Sequence, residues 1–208
     1  MRKRGLVDSR TTRTTPTVQQ NVPGLHLAIY ADAVAALRAA SGPDTRSTQL
    51  WKGGIVDRTT RTMSHNPARY VVMADYDHVD GVRASTDVAD ALSWWKLEQV
   101  VPGTSTAPMG AGAVAMTATD IDPSLENEFN DWYSTEHIPM LSQVEGVVSA
   151  RRFRAFGGAT RYVALYHLAN ADVYRASAWE SANRTAWTQR MRRMFQNAQS
   201  FIFDMRMR

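Results

Sequence analysis

Residues 69–85, RYVVMADYDHVDGVRAS, and residues 161–177, RYVALYHLANADVYRAS, align without a gap at an offset of 92. Seven of the seventeen positions are identical, Arg69/Arg161, Tyr70/Tyr162, Val71/Val163, Asp80/Asp172, Arg83/Arg175, Ala84/Ala176 and Ser85/Ser177. A run of this kind reads as a strand leading into a helix, and it occurs twice. Self-similarity at a fixed offset constrains architecture more than any composition does, because each copy must form the same unit.

The second copy is the cleaner one. Gly112–Ala118 is a small-residue and β-branched run expected as a buried strand, and Pro123–His137 is expected as a helix. Gly146–Phe156 and Arg161–Leu168 read as strands joined at Gly157-Gly158, a hairpin signal. Asp172–Asn197 reads as a long helix, and the alternating Phe201, Phe203, Met205 and Met207 as a last strand. The order β-α-β-β-α-β is that of a ferredoxin-like domain. One such sheet leaves a bare apolar face, which two copies cover by packing sheet to sheet. The first copy is degenerate: strands at Leu25–Tyr30, Ser47–Ile55 and Ala68–Asp77, a helix at Ala31–Ala40, and a second helix at Val88–Leu97 containing Trp94 and Trp95. Residues 57–66 are expected as an exposed loop and 102–111 as a linker. The domain expectation is therefore a basic disordered leader (1–20), a first unit (21–104) and a second (112–208).

Phe129–Met140, FNDWYSTEHIPM, is the densest stretch of chemistry. Asp122 suits a helix N-cap, with Pro123 at the first helical position. Leu125, Phe129, Trp132, Tyr133, His137 and Leu141 then recur at helical spacing, placing His137 on the apolar face. Pro139 should end the helix near His137. There the helix dipole favours the imidazolium and burial disfavours it. The residues alone leave two readings open, a carbonyl-capping histidine and a proton carrier.

Charge excludes some classes. Arg2, Lys3, Arg4, Arg10 and Arg13 against Asp8 carry the whole net charge of +4, leaving 19 basic and 19 acidic side chains over residues 21–208. A neutral body does not suggest nucleic acid as a partner. Arg190, Arg192 and Arg193 read as a solvated helix face. With no cysteine, thiolate sites and disulfides are excluded. No paired-histidine metal spacing, phosphate loop or nucleophile elbow occurs. No run has the length of a membrane span or the look of a secretory signal, so the cytoplasm is the expected address.

FNDWYSTEHIPMLSQVEGVVSARRFRAF, followed by TRYVALYHL and SAWESANRTAWTQRM, resembles the dimeric α+β barrel superfamily, and within it EthD-like proteins. The aromatic–x3–His–x–Pro motif of that family falls on Tyr133, His137 and Pro139. The resemblance implies two ferredoxin-like units closed into an intrachain α+β barrel whose interior is the ligand site, with a further homodimer open. It implies His137 as general acid/base and Tyr133 as a donor to a developing oxyanion. Arg151 and Arg152 alternate on one strand, so one should reach a buried carboxylate or phenolate. His167, Trp132 and Phe129 complete the expected substrate wall. The activity expected from this set is a cofactor-independent lyase or isomerase. It would act on a small hydrophobic, aromatic or lactone-like molecule, with a non-catalytic binding protein or a haem-dependent oxidoreductase as alternatives.

Overall fold

The computed structural model describes residues 22–41, 47–85, 88–101, 108 and 110–207. The expected leader 1–20 and most of the linker lie outside the described residues. The elements are β1 (Gly24–Tyr30), α1 (Ala33–Ala40), β2 (Ser47–Val56), β3 (Met63–Tyr76), α2 (Val79–Ala84) and β4 (Ser93–Val101). They continue with β5 (Ala113–Asp120), α3 (Glu126–Trp132), α4 (Ile138–Ser142), β6 (Val147–Gly158), β7 (Tyr162–Leu168), α5 (Asp172–Arg175), α6 (Ser177–Ala182), α7 (Ala186–Arg193) and β8 (Gln196–Met207). The fold is α+β and ferredoxin-like, built on one closed eight-stranded barrel in the order β1-β3-β2-β8-β5-β7-β6-β4. Every strand pair is antiparallel.

Within residues 24–101 the strands run β4-β1-β3-β2, and within 113–207 they run β8-β5-β7-β6, the same internal order. Two seams close the barrel: β2 pairs with β8, and β4 with β6. The aligned stretches occupy matching places. Val71 and Val163 both enter the lumen core. Asp80 pairs with Arg83 at 3.6 Å, and Asp172 with Arg175 at 3.2 Å, one helical turn apart in each case.

The lumen is filled. Leu27, Trp51, Met73, Trp95, Leu165 and Phe203 meet there from both halves with no more than 1% of their surface exposed. Strand alternation sets this, because every second residue of each strand points inward. The expectation of a ligand site inside the barrel is therefore corrected: interdigitated side chains occupy that space. Arg151 enters the lumen too, where its Nη1 donates to Asp75 Oδ1 at 2.6 Å with both side chains fully buried. His167, the repeat counterpart of Asp75, faces the same interior and is fully buried.

Three element expectations fail for identifiable reasons. Residues 88–97 hold no helix in their described part; Trp94 and Trp95 lie on β4. Adjacent tryptophans suit a strand, sending Trp95 into the lumen and Trp94 onto the core under α1. The long helix at 172–197 is three short ones, broken at Ala176, which is extended (φ −63°, ψ 145°), and before Thr185, which caps α7. The stretch 57–66 is exposed at most of its positions, as expected, but it is a loop only as far as Thr62, because Met63 already opens β3. It forms the tip of the β2–β3 hairpin, whose Val56 and Met63 pack into the core of the second half.

The Asp75–Arg151 pair yields a stability prediction. A buried ion pair gains little over an apolar replacement, but breaking one leaves a bare charge and costs roughly 3–5 kcal/mol. Asp75→Ala should lower stability by that order in urea denaturation, and Asp75→Leu with Arg151→Met should recover most of it. An equal loss in the single and double variants would rule out the unpaired charge as the cause.

Candidate functional site

The site sits outside the barrel, between the sheet of the second half and its helix layer. Asp122 caps the entry as expected, its Oδ1 accepting from the Ser124 N–H at 2.8 Å. Contrary to expectation the helix does not stop at His137. Residues 133–137 form one π turn, closed by the Ile138 N–H donating to Tyr133 O, and α4 continues through Pro139 to Ser142. In a regular α-helix the proline ring would meet the carbonyl four residues back. The wider turn relieves that clash, and such turns recur at functional sites. It also brings Trp132 and His137 together. Residues five apart point well away from each other in an α-helix, yet here the two rings stack at 4.2 Å with planes 28° apart.

His137 is thus in mid-helix, and the dipole argument lapses. It is 6% exposed, and its Nδ1 has no hydrogen-bond partner. Burial, followed by the charges of Arg192 and Arg152, pulls its pKa from 6.5 down to about 3. The imidazole is neutral throughout the physiological range. Tyr133 is set edge-on to it at 5.2 Å. Burial raises the Tyr133 and Tyr166 phenols, with nearby arginines opposing, so both stay protonated. The Tyr166 hydroxyl is buried and without a partner.

Trp132, Tyr133, His137, Tyr166 and Trp179 enclose a slot of about 70 Å³. Trp132 is anchored by its Nε1–H to Thr188 Oγ1 at 3.1 Å on α7. Glu136 accepts from Thr185 Oγ1 at 2.6 Å and ties the π turn to the start of α7. Arg58, Arg61 and Arg192 stand at the mouth. Arg58 and Arg61 arrive on the β2–β3 hairpin of the first half, over the Phe195 ring at 5.0 Å and the Tyr174 ring at 5.5 Å. Arg192 is exposed along much of its length, but its guanidinium turns inward to donate to Asn183 Oδ1 at 2.7 Å. The expectation of a wholly solvated face is corrected at this residue.

The expected site residues divide three ways. Trp132, Tyr133 and His137 line the slot. Arg152 and Phe129 lie behind it: Arg152 donates to Asn130 Oδ1 at 2.6 Å and stacks on Phe129, Tyr133 and Tyr162 at 4.4–4.8 Å. Arg151 and His167 are across the sheet in the lumen. Sequence reasoning missed Tyr166, Arg58 and Arg61. Tyr166 was one strand position from His167, and alternation alone sends it to the helix side; nothing local marks the two arginines.

Among the described residues no group of three acidic or histidine side chains is placed to hold a metal ion, and no helix is long and apolar enough to cross a membrane. Haem does not fit the slot. Drug-sized ligands occupy pockets of about 300–1,000 Å³, against about 70 Å³ here, and the His137 ring is stacked on Trp132.

A family described as a domain of unknown function, DUF4286, matches residues 114–207. The comparison with curated proteins gives no match. Among solved structures the chain is similar to an uncharacterized ferredoxin-fold protein of Listeria monocytogenes related to antibiotic biosynthesis monooxygenases (7% identity, 88% of this chain and 95% of that one, TM-score 0.53). It is similar to an anthrone oxidase-like protein (9%, 89% and 92%, TM-score 0.54), and to a haem-degrading enzyme of Listeria monocytogenes (7%, 86% and 99%, TM-score 0.50). At these identities the likeness is one of fold. The expectation of a lyase or isomerase is nonetheless overturned. The neighbours named here are described as related to antibiotic biosynthesis monooxygenases, as anthrone oxidase-like and as haem-degrading, which points to oxidation and away from a lyase or isomerase.

The buried neutral histidine has a pH signature. Its folded pKa lies below its unfolded one, so between pH 6.5 and about 3 the unfolded state binds the extra proton. The stability it confers is complete above pH 6.5 and is lost as the pH falls toward 3. Wild type should lose more urea stability between pH 7 and pH 4.5 than His137→Leu does. Parallel losses in the two proteins would contradict a buried neutral imidazole.

Proposed function

We propose that this chain is an oxidoreductase of the cofactor-independent monooxygenase type, acting on a small, electron-rich aromatic molecule in the slot. The observation that carries this reading is the group of unpartnered polar atoms in and around an otherwise aromatic enclosure. His137 Nδ1 and the Tyr166 hydroxyl have no partner in the protein, and neither does Arg58 Nη1 at the mouth. Buried polar atoms left unpaired are costly, and a ligand that pairs them recovers that cost.

The chemistry follows from the charges. A phenol or an aryl-activated CH2 gives up a proton to His137, and the resulting anion lies in the field of Arg58, Arg152 and Arg192. Burial and, after it, the charges of Arg192 and Arg152 hold the histidine neutral; an anion in the slot offsets the charge contribution and so raises the proton affinity of His137 when substrate is bound. The electron-rich carbanion then reduces dioxygen, the co-substrate. A CH2 becomes C=O, one oxygen atom is retained and the other leaves as water. Tyr166 donates to the developing oxyanion. The resting space of about 70 Å³ admits dioxygen or a few waters, whereas a cavity that takes a benzene ring measures about 150 Å³. The partly exposed Arg61 side chain swings out to admit the ring.

The finer assignments belong to the same reading. The common strand order of the two halves and their matching Asp–Arg pairs support tandem copies of one unit, divided as 21–104 and 112–208. Tyr133, His137 and Pro139 follow the EthD-like pattern. The site works in a small-molecule catabolic enzyme of the cytoplasm, and assembly into a homodimer leaves it intact because all of its residues come from one chain.

An oxygen electrode tests the reaction with anthrone and 1,8-dihydroxyanthrone as probes, on protein free of haem, flavin and added metal. One dioxygen should be consumed per substrate, and Tyr166→Phe and His137→Ala should lower kcat by roughly 10²–10⁴-fold while retaining the wild-type melt at pH 7 within a few degrees for Tyr166→Phe. Uptake no faster than autoxidation with both probes, or uptake only after haem is added, would sink the reading.

A further inference from the structure

Two of the three cations at the mouth of the slot, Arg58 and Arg192, have no carboxylate acting on them among the described residues. Burial lowers the Arg58 guanidinium first and the charge of Arg192 second, with only the phenols of Tyr133 and Tyr174 acting the other way. Arg192 is lowered by desolvation and then by Arg61, again opposed only by tyrosines. No carboxylate is among the groups acting on either residue. The acidic side chain at hand, Glu180, is already shared by Arg184 and, at 3.9 Å, by Arg61. A surface arginine needs no partner beyond water. Arg58 differs, because its Nη1 is shielded from solvent and donates to nothing.

We propose that the mouth of the slot is a carboxylate site, in which Arg58 from the β2–β3 hairpin and Arg192 from α7 bind the carboxylate of an aromatic acid whose ring lies against Trp132 and Tyr166. Each guanidinium offers the planar donor pair that matches a carboxylate. The flanking aromatic rings supply the flat apolar wall. This inference rests on the reading of the slot as the substrate site, and it names the substrate class. It also gives the first half of the chain a role: its hairpin carries the specificity residue for a pocket built by the second half.

Calorimetric titration with benzoate and salicylate, against the uncharged benzamide and salicylamide, tests it without reference to turnover. The acids should bind at least about tenfold tighter than the amides. Arg58→Gln should remove about tenfold to a hundredfold of that affinity, as expected for a lost charged hydrogen bond, and Arg58→Lys should restore part of it. Arg190→Gln, which breaks an exposed pair with Glu128 at 2.9 Å, should change nothing. Melting curves establish that each variant is folded. Equal affinity for acids and amides, no saturable binding of either acid at millimolar concentration, or an Arg58→Gln protein that binds like wild type would each overturn the proposal. The two readings separate cleanly. Acid binding that depends on Arg58, without oxygen uptake, upholds the carboxylate site and removes the oxygenase. Uptake on neutral probes that is indifferent to Arg58→Gln and to the acids as competitors does the reverse.

Discussion

Barrel closure is the constraint from which the rest of the architecture follows. A ferredoxin-like sheet alone exposes two edges and one apolar face, and both are liabilities. Here the β2–β8 and β4–β6 seams pair all four edges at once, and the same act folds the two apolar faces against each other. Eight strands enclose an interior only wide enough for side chains to fill, and Trp51, Trp95 and Phe203 fill it. A ligand site cannot then be central. It must form on the outside, where a helix layer stands off the sheet. At β6 Gly158 (φ 124°) the seam draws close to the backbone of Trp94 and Trp95, and an added Cβ would collide with both.

The two helix layers are unequal, and that inequality places the site. Over the first half, α1 covers a small cluster around Tyr30, Ala36 and Leu50. Over the second, α3, the π turn, α6 and α7 stand on a deep aromatic core that includes Phe129, Trp132, Tyr162 and Trp179. The first half contributes instead through reach. Strand β3 runs from Met63 to Tyr76, far longer than its counterpart β7, and the surplus length carries Arg58 and Arg61 across to the other side.

Much of this was legible in the sequence, and the failures have physical causes. The repeat, the small-residue and β-branched run at 112–118 and the Gly157-Gly158 hairpin signal placed the strands of the second half, because strands buried on both faces read as apolar runs bounded by turn residues. Asp122 and Pro123 marked the helix entry correctly. The π turn left no such trace: Pro139 signals a stop under α-helical rules, and only the tertiary packing of Trp132, Tyr133 and His137 makes the wider turn worthwhile. Trp94 and Trp95 misled because a bulky pair fits either a helix or a strand, and the choice was made by β1 and β6 on either side. Arg58 and Arg61 were invisible for a deeper reason. Their neighbours in the slot come from residues more than fifty positions away, and no local pattern records a contact of that kind.

Electrostatics then gives the slot its character. Arg152 is buried beneath the π turn among three aromatic rings, with a single neutral partner in Asn130. A full carboxylate partner would have neutralised it, and its field would not have reached His137. Burial holds the imidazole unprotonated, with Arg192 and then Arg152 adding to it, and burial likewise holds Tyr133 and Tyr166 as phenols. The resting slot therefore contains a neutral acceptor, neutral donors and surrounding positive potential, with no negative charge of its own. Water solvates such a space poorly because the walls are aromatic. Under the reading proposed above, an anion in the slot meets this potential and offsets the arginines' share of the shift, while the share due to burial remains. On that reading binding and proton affinity are coupled through the same arginines, with burial setting the larger part of the resting shift.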